Sequence, residues 1–284
     1  MALATRNNTS APPAPGTAAG TRPGIVLAIV LTGQFMALLD TSIVNVAIPA
    51  IHSSLGASGA SLQLIVAGYT IAYAVLLVTG ARLGDVLGYR RMFLAGLTVF
   101  TLASFGCGLA GSASVLIGLR FVQGIGAASM IPQVLSLIQR TYTGTARARA
   151  MSIYSATLAG GAVVGQVAGG VLISADLFGT SWRPVFLVNV PIGAALVGLG
   201  ARLLPAGRGD QARDLDLYGL LILSPAVFAL VLPLVLGQPE HWPAWGWALL
   251  AGSAVLVAAF VAVERWVTAR GGSPIVPGRV LRLR

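Results

Sequence analysis

The sequence predicts an all-α membrane protein, and three observations carry that reading. Hydrophobic residues make up 56% of the 284 and charged residues only 9%, with a mean hydropathy of +0.85; one soluble core of this size could not enclose that much apolar surface. The apolar runs are long and unbroken, without the alternation of a lipid-facing barrel strand. Backbone groups in lipid must bond within the chain, and with barrels set aside only helices satisfy them.

The elements follow in order. Residues 1–23, rich in Ala, Pro, Thr and Gly, lack hydrophobic periodicity and read as a disordered cytoplasmic tail. The apolar run after them is too long for a signal-peptide core, contains Asp40 and lacks a small-residue cleavage site. Spans are expected at 24–49, 62–81, 92–111, 113–138, 151–174, 184–204, 217–236 and 246–267. Each can cross a hydrocarbon core of about 30 Å at about 1.5 Å per residue. Pro23 and Pro49 are expected to bound the first, and Pro205 to close the sixth.

All 18 basic residues are Arg, and sixteen of them fall in segments that lie on one side if the N-terminus is cytoplasmic. Only Arg183 falls on the other side, and Arg120 lies inside a span. By the positive-inside rule both ends are cytoplasmic. The net charge of +10 therefore reads as topology signals beside anionic lipid, with no nucleic-acid partner.

Two charges inside spans carry chemistry. An ionised Asp near the bilayer centre costs about 2.5–3.5 kcal/mol on insertion scales, so Asp40 must face protein or water. At about 100° per residue, Gln34, Thr41 and Asn45 fall within about 40° of one another, with Asp40 about 100° from their edge. Arg120 shares a helix face with Gln123, Gly124, Ala127 and Ile131. Asp40 lies about 13 Å below the end of its span and Arg120 about 10 Å below the end of its own, on the same side. A direct or water-bridged pair between them is feasible, and its proton-sensitive breakage is the expected mechanism.

Other segments suggest packing or gating. In GARLGDVLGYRRM, Gly84 and Gly88 suit a tight turn, and Asp85 can cap a helix or pair with Arg90 or Arg91. Gly161, Gly165 and Gly169 recur every four residues, with Gln166 and Gly170 alongside, which lets a second helix approach closely. Asp210, Asp214 and Asp216 form a solvated loop with Arg208 and Arg213, and Trp242, Trp245 and Trp247 an interfacial belt. His52 and His241 stand apart in expected loops, and the lone Cys107 excludes an internal disulfide. No phosphate-cradling loop, hydrolytic triad or metal cluster is present in the sequence, so neither an enzyme, a cofactor nor a metal is expected.

Together these motifs resemble the major facilitator superfamily, and within it the fourteen-helix drug/proton antiporters, over residues 24–284. The first span is similar to that group's signature through Leu39, Asp40, Thr41, Val44, Asn45, Ala47 and Pro49. Arg82, Leu83, Gly84, Asp85, Gly88, Arg90 and Arg91 resemble its gating motif; Arg120, Gln123, Gly124 and Gly126 its proton-coupling motif; Gly161, Gly165, Gly169 and Gly170 its antiporter motif. Trp182, Arg183, Phe186, Asn189, Pro191 and Gly193 fit as well. Val86 stands where the family has a basic residue, and Gln166 where it has a kink-forming Pro.

The resemblance implies a six-helix N-terminal bundle at 24–204, a cytoplasmic loop and two linker helices at 205–267, and a basic segment at 268–284 leading to a missing C-terminal six-helix half. It implies a bacterial plasma-membrane exporter of hydrophobic or cationic drugs in exchange for protons, inactive as residues 1–284 alone. Asp40 and Arg120 would couple protons, and Gln34, Thr41, Asn45 and Gln123 would line the substrate cavity. The alternatives are a narrow exporter of one metabolite or antibiotic, and a non-transporting half-module that needs a partner.

Overall fold

The computed structural model describes residues 22–175, 179–206, 217–237 and 241–269, and among these every regular element is a helix. The elements are α1 (Pro23–Leu55), α2 (Gly59–Leu87), α3 (Tyr89–Leu109), α4 (Ala113–Thr141), α5 (Gly144–Ser174), α6 (Pro184–Leu187), α7 (Asn189–Leu203), α8 (Leu217–Leu236) and α9 (Ala244–Ala269). All eight expected spans are helical. Seven segments are long and apolar enough to cross a membrane: α1 to α5, α6 with α7, and α9; α8 holds a shorter apolar stretch, Leu221–Leu236. The expectations for most of the 1–23 tail, for Arg208 to Asp216, and for 270–284 lie outside the described residues.

Several helix ends differ from expectation, and proline bears on two places. α1 does not stop at Pro49 but runs on to Leu55, where Gly56 (φ 59°) closes it. Proline removes only one backbone donor, and a spanning helix tolerates that when its neighbours hold it straight. His52 therefore sits in the last turn of α1, with Nδ1 2.8 Å from the Ala57 carbonyl, instead of in a loop. The sixth span is divided at Val188 into α6 and α7, although Val188 keeps helical dihedrals (φ −60°, ψ −29°) and bonds the Pro184 carbonyl at 3.0 Å. Pro191 has no N–H for the Leu187 carbonyl, so one backbone bond is missing there while the helical path continues.

Packing brings α2 and α3 along α4, α1 along α5, and α7 against α3 and α1, while α8 and α9 pair as a hairpin laid against α2. Glycine sets the closest approaches. A methyl group on Gly165 would lie 2.9 Å from Ser42 Cβ, one on Gly161 2.9 Å from Leu38 Cβ, and one on Gly169 2.9 Å from Ile43 Cγ1. The glycine face of α5 thus seats α1. Gln166 and Gly170 take no part: Gln166 is exposed, and Gly170 has open space around it, because both lie off the 161–165–169 row.

Candidate functional site

The core divides into two apolar clusters with a polar layer between them. One cluster holds Ala37, Tyr69, Phe100, Ala127 and Leu196; the other holds Ile43, Ile65, Cys107, Leu116 and Phe186. Between these marks four helices carry buried polar residues: Asp40 on α1, Ser104 on α3, Arg120 and Gln123 on α4, and Asn189 at the start of α7. All five are 0% exposed.

Asp40 and Arg120 are in direct contact, with Arg120 Nη1 donating to Asp40 Oδ2. Asp40 Oδ1 accepts from Gln123 Nε2 and from Asn189 Nδ2, each at 3.1 Å. Arg120 Nε donates to the Ile65 carbonyl at 2.9 Å and Nη1 to Gln123 Oε1 at 2.9 Å. Its guanidinium lies 4.7 Å from the Tyr69 ring centre and 5.9 Å from that of Phe186. Gln123 Nε2 also donates to Ser104 Oγ at 2.7 Å, and the Cys107 thiol donates to Gln123 Oε1 at 3.4 Å. The layer carries one anion and one cation, so a buried charge is matched and hydrogen-bonded, the condition under which burial is tolerated.

The other expected site residues scatter. Gln123 does not line an open cavity, because the ion pair draws its amide into the sealed layer. Gln34 is buried too, and its Oε1 has no partner. Thr41 is half-buried and donates back to the Ala37 carbonyl at 3.1 Å, and Asn45 is exposed, donating to the Thr41 carbonyl at 3.3 Å. The shared sector of α1 therefore spans interior and surface, because the helices packed on it cover only part of its girth.

At one end of the bundle a second polar cluster forms. Gly84 and Asp85 lie within α2, not in a loop, and Gly88 (φ 97°) alone joins α2 to α3. Gly84 faces the Gln133 side chain of α4. Asp85 accepts from Tyr89 Oη at 2.6 Å and lies 4.0 Å from Arg82. Arg140 donates to Tyr89 Oη at 3.2 Å and stacks 4.3 Å from its ring centre. Arg90 donates to the Ala201 carbonyl on α7, while Arg91 is exposed. Partial burial raises the Tyr142 phenol above its ordinary value, keeping it a donor to the Pro23 carbonyl at 2.6 Å.

Sequence reasoning missed Asn189 as a partner of Asp40, along with Ser104, Tyr69 and the buried Gln133. It also passed over Glu264, an acid within the apolar α9 that is 0% exposed. The signal for Glu264 was present, an acid late in an apolar run; Asn189 stood in a segment that fits the family, but nothing in the sequence named Asp40 as its partner. Among the described residues no group of His, Cys, Asp and Glu is placed to hold a metal.

Comparison with known proteins points one way. The model of the Major Facilitator Superfamily matches residues 30–276. The chain is 43% identical over 272 residues to a probable actinorhodin transporter of Streptomyces coelicolor, covering 94% of this chain and 47% of that protein. It is 39% identical over 264 residues to the cephamycin export protein CmcT of Amycolatopsis lactamdurans, covering 90% and 52%. It thus spans about half the length of these relatives. Among solved structures it is similar to an inward-facing bacterial homologue of the human lysosomal transporter Spinster, with a TM-score of 0.55 at 23% identity over 87% of this chain and 62% of that one. With seven apolar spans among the described residues, a matched charge pair sealed at the centre of the bundle and a family model covering most of its length, the chain is a multi-pass bacterial membrane protein that belongs to the major facilitator superfamily.

Proposed function

We propose that the full gene product exports small hydrophobic or cationic compounds in exchange for protons, and that Asp40 is the residue that takes up the proton. One observation carries the reading: the sealed Asp40–Arg120 pair. A proton on Asp40 cancels the anion and leaves Arg120 as a buried cation with only neutral partners. Such an uncompensated charge costs about 3–5 kcal/mol, enough to drive the helices that hold it toward a second arrangement. Transporters of this kind rock two halves about a midplane site. Residues 1–284 supply one wall, and the activity is proposed for a protein that has both. In this reading both termini face the cytoplasm, on the arginine distribution.

A second reading has a specific support. The two relatives above are named for one antibiotic each, which favours a narrow exporter of a single compound. A panel of lipophilic cations and individual antibiotics, run against the full gene product in everted vesicles, separates the two. Under either reading Asp40→Asn abolishes efflux driven by a pH gradient while substrate binding persists. Undiminished pH-driven efflux in Asp40→Asn would exclude Asp40 as the coupling residue.

A further inference from the structure

Two amides donate to Asp40 Oδ1, and they are held very differently. Gln123 is tied at both ends: Nε2 also donates to Ser104 Oγ at 2.7 Å, and Oε1 accepts from Arg120 at 2.9 Å and from Cys107 at 3.4 Å. Turning it over would disrupt every one of these contacts. Asn189 makes one side-chain bond, from Nδ2 to Asp40 Oδ1 at 3.1 Å. Its Oδ1 is buried and accepts nothing. A buried acceptor without a donor costs about 1–3 kcal/mol.

That orphan oxygen is the group a protonated Asp40 lacks. An ionised carboxylate only accepts, whereas a protonated one must also donate its O–H. As arranged, Asp40 Oδ1 faces two N–H groups and Oδ2 faces a guanidinium. The titratable neighbours already have acceptors: Arg120 on α4 binds Ile65, Tyr69 on α2 donates to the Ala37 carbonyl at 3.4 Å, and Cys107 on α3 donates to Gln123. α5 presents glycines to α1 and holds its charged residues, Arg147 and Arg149, exposed near its start, while α6 brings Phe186.

We propose that Asn189 follows the proton. With Asp40 ionised, its Nδ2 donates to Oδ1; when water delivers a proton to Oδ1, the amide turns over and its own Oδ1 accepts the new O–H. The terminal torsion of Asn is broad and roughly two-fold, so the turn is cheap. The only covalent change is the O–H bond formed on Asp40 as a hydronium ion gives up a proton and becomes water, and it reverses on release. Asn189 is a positioning residue at the start of α7, and its single side-chain bond leaves its amide free of the other contacts that hold Gln123. This inference rests on Asp40 being the proton carrier.

The test is acid-minus-neutral infrared difference spectroscopy on the full gene product in liposomes, with carbon-13 in the asparagine side-chain carbonyl. A carboxyl band that vanishes in Asp40→Asn is expected to rise together with an isotope-sensitive shift of an asparagine carbonyl. That shift is expected to vanish in Asp40→Asn and in Asn189→Leu, and in Asn189→Leu the carboxyl band moves to higher frequency for want of an acceptor. Should Asn189→Leu not accumulate, the isotope response of the unsubstituted protein still decides. An Asp40 band without any asparagine response overturns the role of Asn189 alone. Absence of an Asp40 band at any pH overturns the proton reading and this one with it.

Discussion

At the scale of single residues, the Asp40–Arg120 pair is a commitment of both partners. Arg120 meets the Ile65 carbonyl, Asp40, Gln123 and two aromatic rings at once, and a planar fork can do this where a lysine ammonium cannot. Arg120→Ala, which strands the Asp40 carboxylate, is expected to cost about 3–5 kcal/mol, read as a fall in the thermal unfolding midpoint in detergent. The double variant Asp40→Leu with Arg120→Met should recover most of that stability and still fail to transport, since apolar replacement of a buried pair is often neutral or stabilising. The pair itself was legible in the sequence, because two charges in apolar runs at matched depth must find each other or water. The role of Asn189 was not, because an uncharged amide acquires meaning only when the packing of α7 against α1 delivers it to Asp40.

At the scale of elements, hydropathy revealed every expected helix but neither the continuation past Pro49 nor the division of the sixth span at Val188. In both places proline removes one backbone hydrogen bond while the helical path persists. Helix contacts offer a sharper test of the packing. Gln133 Nε2 donates to the Gly80 carbonyl at 2.8 Å and to the Ser129 carbonyl at 3.1 Å. A methyl group on Gly84 meets the end of the Gln133 side chain, whereas one on Gly80 meets the backbone carbonyl of Ala128. Gly84→Ala is therefore expected to cost about 1–2 kcal/mol alone and only a few tenths in a Gln133→Ala background. Gly80→Ala should cost about 1–3 kcal/mol in both backgrounds, because a helix backbone cannot swing aside. Thermal unfolding of the three single and two double variants checks the pattern.

At the scale of the whole molecule, the arginine distribution argues that the connections after α2 and α4 face the cytoplasm and that Gly179 faces out. In a Cys107→Ser background, a cysteine at Gly179 is expected to react with a membrane-impermeant maleimide in intact cells. A cysteine at Thr145 should react only once the membrane is opened. The reverse pattern would invert the proposed orientation. The two apolar clusters that bracket the polar layer have an electrical consequence. A sealed, low-dielectric seam in mid-membrane is where most of the transmembrane voltage falls. A full crossing of one elementary charge is worth about 2.3 kcal/mol per 100 mV, so a proton reaching Asp40 from either side traverses roughly half of it, about 1 kcal/mol. Proton uptake there would then respond to membrane potential as well as to pH. An imposed potassium diffusion potential should displace the acid limb of exchange, in opposite directions for opposite polarities.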